Sequence, residues 1–162
     1  MKPRRSITAA ALVLAAAFAL VSVGAYAHDH PPAGKTLFFA KLTGANEVVG
    51  NHSNQGDPDG LGGATVQIDD DATTVCFGIT VDNLDTPTAA HIHQGPAGVA
   101  GPIVVPFTAP NAGNPGTTSG CTTGVSQDLI NAIKANPAGF YVNVHTTAFP
   151  GGAIRGQLTP AP

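Results

Sequence analysis

The chain has 162 residues, with seven basic residues, ten acidic residues and six histidines, and its formal net charge is −3 at pH 7. After residue 27, four basic residues stand against ten acidic ones, which gives a net charge of −6. This balance argues against nucleic acid or an anionic membrane surface as a partner. Residues 28–162 have the length of one domain with a core of its own.

Residues 1–27 have the three parts of a secretory signal peptide. A basic start at positions 2, 4 and 5 precedes an apolar run over 7–23, and Ala25-Tyr26-Ala27 fits a small-x-small cleavage site. A membrane anchor is the alternative, but about 17 apolar residues without a basic flank are short for a span. The paired arginines raise twin-arginine export, although the residues after them favour the general secretory route.

Cleavage after Ala27 predicts a secreted or extracytoplasmic protein with no membrane span after signal cleavage. We predict a flexible N-terminal tail over 28–35 and a single domain over 36–160. The tail begins with His28 and contains His30. A free amine, two backbone amides and the His30 imidazole together suit square-planar Cu²⁺, so the tail is a candidate copper motif. A disordered polar tail is the alternative.

Short apolar runs separated by Gly, Pro, Asn and Asp predict eight β-strands. The turn sequences "DDDA" and "FPGG" predict that the second and third strands, and the last two, are antiparallel neighbours. The predicted strands lie near 36–42, 63–69, 73–82, 88–93, 102–107, 118–124, 140–147 and 152–159.

One short helix is predicted near 126–136. Ser126 is a suitable N-cap, Asp128 complements the helix dipole, and Pro137 ends the helix. The whole pattern is typical of an all-β fold, an antiparallel Greek-key-like β-sandwich with one short helix.

Cys76 and Cys121 are the two cysteines of the chain. In an oxidising compartment they are expected to form one disulfide, because an exposed free thiol there would be reactive. The bridge would close a loop of about 45 residues, for which the chain-entropy estimate is roughly 4 kcal/mol. A thiolate metal site or a catalytic cysteine is the alternative, but no partners at suitable spacing accompany either residue.

Alternation along the strands separates apolar from polar side chains. In "FYVNVHTT" the apolar set is Phe140, Val142 and Val144, so the residues between them point to the other face. The same rule applied to "AAHIHQ" and "AIRGQL" predicts further residues on polar strand faces. The predicted polar set is His91, His93, Asn143, His145, Arg155 and Gln157.

Three separated motifs resemble the chordin (CHRD) domain, which occurs in chordin and in many secreted bacterial proteins. They are "LTGANEV" (42–48), "AAHIHQGPAGVAGPIVV" (89–105) and "FYVNVHTTAFPGGAIRGQL" (140–158). The resemblance covers roughly 36–158 and implies an extracellular all-β domain of unsettled biochemical role. In animal chordin the domain lies within an antagonist of bone morphogenetic proteins, and that role does not transfer because the flanking Cys-rich modules are missing here.

The histidines leave three functions open. His91 and His93 share a strand face and, with His145, could bind copper or zinc through imidazole nitrogens. Alternatively, each histidine hydrogen-bonds a neighbouring group and holds the Gly-rich loop that follows. A third possibility is a binding surface for an unknown protein or small ligand that includes Glu47, Asn143, Arg155 and Gln157. An Arg155–Glu47 ion pair inside the group would oppose a cation and favour an anionic or protein ligand.

Two weaker resemblances concern other sites. "HIH" is similar to the His-x-His copper pair of copper/zinc superoxide dismutase, but no zinc subsite accompanies it. Asp57 and Asp59 in "GDPDGLGG" could offer oxygen ligands to Ca²⁺, although the spacing matches no complete calcium loop. No complete catalytic constellation appears, so whether the protein is an enzyme stays open, and a non-catalytic binding module is the favoured prediction.

Overall fold

The structure is a computed structural model that describes residues 34–50 and 52–162. The predicted signal peptide and the two histidines of the predicted tail, His28 and His30, lie outside the described residues.

The described residues form eleven β-strands and one α-helix, with short 3-10 turns at Gly44–Asn46 and Pro137–Gly139. Each of the eight predicted strands is present, with end points that differ by a few residues. The elements are β1 (Lys35–Thr43), β2 (Val48–Val49), β3 (His52–Ser53), β4 (Leu61–Asp69), β5 (Thr74–Asp82), β6 (Pro87–Gln94), β7 (Ile103–Phe107), β8 (Gly116–Thr122), α1 (Gln127–Ala135), β9 (Phe140–Thr146), β10 (Ile154–Gln157) and β11 (Thr159–Pro160).

One antiparallel sheet contains all the longer strands in the order β7-β6-β9-β10-β1-β4-β5-β8, and β11 also pairs with β1. The sheet curls so that its two edges approach each other. The Thr122 hydroxyl on β8 donates to the Pro106 carbonyl on β7 at 2.6 Å, and the Phe77 and Phe107 rings stack with centroids 4.1 Å apart. The predicted all-β class with antiparallel strands and one short helix is confirmed, with the sandwich formed by one nearly closed sheet.

The hydrophobic core lies inside this curled sheet because apolar residues alternate along each strand. On β1 the buried residues are Phe38, Ala40 and Leu42. Helix α1 covers part of the core with Ile130 and Ile133, both fully buried. Ser126 caps the helix as predicted, since its Oγ accepts a hydrogen bond from the Leu129 N–H at 3.3 Å. Within the described part of the chain, no helix has the length and apolar character needed to cross a membrane.

The two cysteines form the predicted disulfide. Cys76 on β5 and Cys121 on β8 are register partners, and their Cα atoms are 3.9 Å apart. Both predicted hairpins are also present, because β4 pairs antiparallel with β5 and β9 pairs antiparallel with β10.

Candidate metal centre

Three neighbouring strands position the polar residues. Strand β9 lies between β6 and β10, and the register aligns His91 with Asn143 and Arg155. The next row aligns His93 with Tyr141 and Gln157. Successive residues of a strand alternate between faces, so these rows share the face opposite the core.

His91, His93 and His145 come together on this face. The Nδ1 atom of His91 lies 3.3 Å from Nε2 of His145, and one ring nitrogen from each of the three residues lies within 4.8 Å of the others. Among the described residues, these histidines are the one group of three or more His, Cys, Asp or Glu residues that converges in this way. The candidate calcium ligands Asp57 and Asp59 are in no such group.

Backbone carbonyls orient two of the rings. The Nδ1 atom of His93 lies 2.8 Å from the Gly101 oxygen, and Nδ1 of His145 lies 3.0 Å from the Pro150 oxygen. A carbonyl oxygen only accepts, so both Nδ1 atoms carry the proton and both Nε2 atoms of the neutral rings present a lone pair. Metal-binding histidines commonly have this arrangement, in which the second nitrogen donates to a carbonyl.

The Nε2 atom of His93 is buried and has no hydrogen-bond partner. His93 is 8% exposed. A buried polar atom without a partner costs about 1–3 kcal/mol, so native proteins seldom leave one in place without a function or an unseen ligand. Among the described residues, Oε2 of Glu47, Oδ1 of Asp70 and Nη1 of Arg155 are also buried without a partner, and Nε2 of His93 is the one such atom that belongs to the three histidines.

Burial keeps all three imidazoles neutral. Desolvation, together with the neighbouring His145 and His93, lowers the pKa of His91 from 6.5 to about 4. Burial also lowers the pKa values of His93 and His145, although the hydrogen bonds to the Gly101 and Pro150 carbonyls act in the opposite direction. The neutral ring is the form that binds metals, and it is available at pH 7.

Arg155 is buried beside the histidines, with 1% exposure. Its guanidinium carbon lies 3.4 Å from the centre of the Tyr141 ring. Its Nη2 donates to the Pro96 carbonyl at 2.8 Å and to Oε1 of Gln157 at 3.0 Å. Burial lowers the pKa of Arg155, while the charge of Glu47 raises it.

These side chains fasten the loop over 95–101 to the sheet. Gln157 donates from Nε2 to the Gly95 carbonyl at 3.0 Å, and the Tyr141 hydroxyl accepts from the Gly101 N–H at 3.1 Å. Together with the Arg155 and His93 contacts, they hold both ends of the loop. Arg155 and Gln157 therefore act on the histidines indirectly, by fixing the loop that contains the Gly101 carbonyl.

Glu47 follows the first 3-10 turn and is also buried, with 1% exposure. Its Oε1 accepts from the Val48 N–H at 3.0 Å, and its Oε2 has no hydrogen-bond partner. Desolvation raises the pKa of Glu47, while Val48, Arg155 and Asn143 act in the opposite direction. Among the described residues, no ion pair within 4.0 Å joins Arg155 to Glu47. The two side chains therefore attract each other without direct contact.

The structure thus brings together His91, His93, His145, Glu47, Asn143, Arg155 and Gln157. The strand alternation predicted the correct face of the sheet, but it did not predict that loops cover this face. Asn143 is only 1% exposed, because loops from 95–101 and from the hairpin before β10 lie over the face. The sequence reasoning also missed Tyr141 as a site residue, although alternation places it on the same face. The Gly101 and Pro150 carbonyls leave no side-chain signal in the sequence.

A separate groove of about 730 Å³ lies on β1, β4, β5 and β8. Its lining includes Phe39, Lys41, Gly63, Gly78 and Ser119. None of the histidines lines it, so it is distinct from the candidate metal centre.

The sequence model described as the CHRD domain matches residues 38–158. No curated protein and no solved structure matches the chain. The matched range contains all three converging histidines and both cysteines.

Proposed function

This chain belongs to the CHRD domain family, and we propose that it is a secreted, non-catalytic binding module whose three-histidine centre binds one copper or zinc ion. The ligands are His91, His93 and His145. The observation that carries the proposal is the buried Nε2 of His93, which has a lone pair and no hydrogen-bond partner beside two other imidazoles.

The donor set fits these metals. Imidazole nitrogens suit zinc and copper, and bond lengths of about 2.0–2.1 Å in a tetrahedral site place neighbouring donor atoms about 3.3–3.4 Å apart. The His91 to His145 separation of 3.3 Å already has this value. Since the three nitrogens lie within 4.8 Å of one another, a small movement of the rings is enough to bring all of them to this spacing.

The surrounding charges allow a cation. The positive charge of Arg155 opposes protonation of His93, and it would also oppose a metal ion. However, the nearby Glu47 carboxyl group counters this charge when it is ionised. Nη2 of Arg155 is bonded to the Pro96 carbonyl and to Gln157, and the guanidinium carbon lies over the Tyr141 ring, whereas the buried Nη1 has no hydrogen-bond partner.

Titration calorimetry with Zn²⁺ and Cu²⁺ tests the proposal. The parent protein carries His28→Ala and His30→Ala, because the predicted tail is an independent copper motif. We expect one ion per chain in the parent, and binding that is at least 100-fold weaker in His91→Ala and His145→Ala. His52→Ala, which changes an exposed histidine on β3, is the matched control and should bind like the parent. Binding that is absent in the parent, or unchanged in both site variants, would eliminate the metal function.

Secretion is the second part of the proposal. The signal-like residues 1–27 and the Cys76–Cys121 disulfide support it. Detection of the protein only inside the cytoplasm, with reduced cysteines, would contradict this part without affecting the metal site.

A protein or small-molecule partner is a second candidate ligand. Val99 on the covering loop and Ile103 on β7 are 48% and 53% exposed, and exposed apolar side chains near a site favour partner binding. Capture of a partner from culture medium by the parent, and loss of that capture in a Val99→Asp, Ile103→Asp variant, would support it. Equal capture by both proteins would contradict it.

A further inference from the structure

Asn143 lies inside the histidine group with its side-chain oxygen facing a ring nitrogen. The Oδ1 atom of Asn143 is 3.1 Å from Nε2 of His145. Since Nδ1 of His145 donates to the Pro150 carbonyl, Nε2 of the neutral ring is an acceptor. Neither of the two atoms carries a proton, so this contact joins two acceptors.

A reversed amide does not resolve this conflict. Rotating the Asn143 side chain by 180° would let its N–H donate to His145, but it would turn the oxygen toward the Glu47 carboxyl group. In the present orientation Asn143 favours the negatively charged form of Glu47. The observed orientation, with Oδ1 of Asn143 3.1 Å from Nε2 of His145, is thus also the one that favours the Glu47 carboxylate.

His93 adds another acceptor at the same place. Its Nε2 is buried without a partner. Asn143 is close enough to His93 to favour the protonated ring, but no hydrogen bond of acceptable geometry joins them. Lone pairs from His93, His145 and Asn143 therefore converge, and Nδ1 of His91, 3.3 Å from Nε2 of His145, can donate one proton to them. A cation would satisfy the lone pairs that this one proton leaves unpaired.

We propose that Oδ1 of Asn143 is the fourth ligand of the ion, so that the centre is a closed N3O site for a divalent ion of the zinc type. This inference rests on the proposed metal function. Two edges of the expected tetrahedron are already present, at 3.1 Å between Asn143 and His145 and at 3.3 Å between His91 and His145, against about 3.3–3.4 Å for bonds of 2.0–2.1 Å.

A closed site has a functional consequence. Catalytic zinc sites keep one position open for water or substrate, whereas structural sites use four protein ligands. With Asn143 bound, the protein occupies all four positions, so the centre retains an ion and does not activate water.

Zn²⁺ affinities measured by chelator competition test the assignment in the parent with His28→Ala and His30→Ala. Asn143→Ala removes the oxygen, and we expect 10- to 100-fold weaker binding. Asn143→Asp keeps the shape and supplies an anionic oxygen, so we expect Zn²⁺ affinity equal to or tighter than that of the parent. The Ala variant carries the test, because it adds no charge, whereas a carboxylate beside the ion raises the affinity whether or not it is a ligand.

Asn46→Ala is the matched control, since its side chain bonds the Arg155 carbonyl at 3.2 Å, outside the histidine group. It should leave the affinity within threefold of the parent. If Asn143→Ala does not fold, the Zn²⁺ affinity of Asn143→Asp tests the assignment instead. A tenfold loss of affinity in that variant overturns the assignment of Asn143 as a ligand. Loss of Zn²⁺ binding in the histidine variants but not in Asn143→Ala would overturn this inference alone. Absence of binding in the parent would overturn the metal function as well.

Discussion

The guanidinium carbon of Arg155 lies 3.4 Å from the centre of the Tyr141 ring. The His93 ring is nearly parallel to the Tyr141 ring, at 11°, with centroids 4.9 Å apart. Since Tyr141 is on the strand between those of His93 and Arg155, the three groups form one stack across β6, β9 and β10. Arg155 is therefore part of the scaffold that fixes His93.

Replacing Arg155 is expected to destabilise the protein. Arg155→Leu removes the charged donor of two partly buried hydrogen bonds, to the Pro96 carbonyl and to Oε1 of Gln157, and a hydrogen bond to a charged group contributes about 1.5–3 kcal/mol. Urea denaturation measures the loss in free energy of unfolding. Lys41→Leu, at an exposed site on β1, is the control and should change stability by less than about 0.5 kcal/mol. Equal stability of the two variants would contradict a structural role for Arg155.

Stability without metal is expected to depend on the histidines between pH 6.5 and 4. The folded-state pKa of His91 is about 4, against an ordinary value of 6.5, so the unfolded chain binds more protons in this range. The stabilisation is complete above pH 6.5 and is lost as the pH falls toward 4. His93 and His145 act in the same direction because their pKa values are also lowered.

Glu47 changes the stability in the opposite direction, because its pKa is raised in the folded state. Its contribution to the free energy of unfolding is present below the ordinary pKa of 4.5 and is lost as the pH rises above that value. Urea denaturation in EDTA at several pH values is the measurement. His91→Gln should flatten the slope between pH 6.5 and 5, and an unchanged slope would show that His91 is not held neutral by the fold.

Gly101 is expected to be intolerant of a side chain. A Cβ atom there would lie 1.7 Å from the Gln94 carbonyl oxygen, so Gly101→Ala must move the backbone that orients His93. We expect about 1–3 kcal/mol of destabilisation and weaker Zn²⁺ binding in calorimetry. Gly63→Ala, where the nearest atom is 3.7 Å away, should leave both quantities nearly unchanged. A Zn²⁺ affinity in Gly101→Ala equal to that of the parent would show that the loop over 95–101 does not orient the metal ligands.

The disulfide is expected to support the β5 and β8 edge of the sheet. A Cys76→Ser, Cys121→Ser variant should lose about 2–5 kcal/mol of unfolding free energy. The histidines are on the opposite half of the strand order, so Zn²⁺ affinity should stay at the parent level wherever the variant is folded. A stability loss below 1 kcal/mol would show that the bridge contributes little.

The sequence predicted the strands well because alternation and turn residues are local signals. Ile92 is buried between His91 and His93, as a period of two requires. The pairing of β6 with β9 is not a local signal, since 45 residues, which include two strands and a helix, separate the end of β6 at Gln94 from the start of β9 at Phe140. The burial of Arg155 was missed because it depends on the loop over 95–101.

The mature N-terminus can be checked by mass spectrometry of the exported protein. Cleavage after Ala27 predicts a chain that begins at His28, with a mass corresponding to 28–162 and two fewer hydrogens for the disulfide. A chain that begins elsewhere would remove the copper motif of His28 and His30, since that motif requires the free amine two residues before His30.

The most direct test of the metal centre is anomalous X-ray diffraction above and below the zinc and copper absorption edges, on crystals of the protein grown with each ion. We predict one anomalous peak about 2.0–2.1 Å from a ring nitrogen of each of His91, His93 and His145. A map without a peak between these three rings, or with peaks only elsewhere on the chain, would contradict the proposed function.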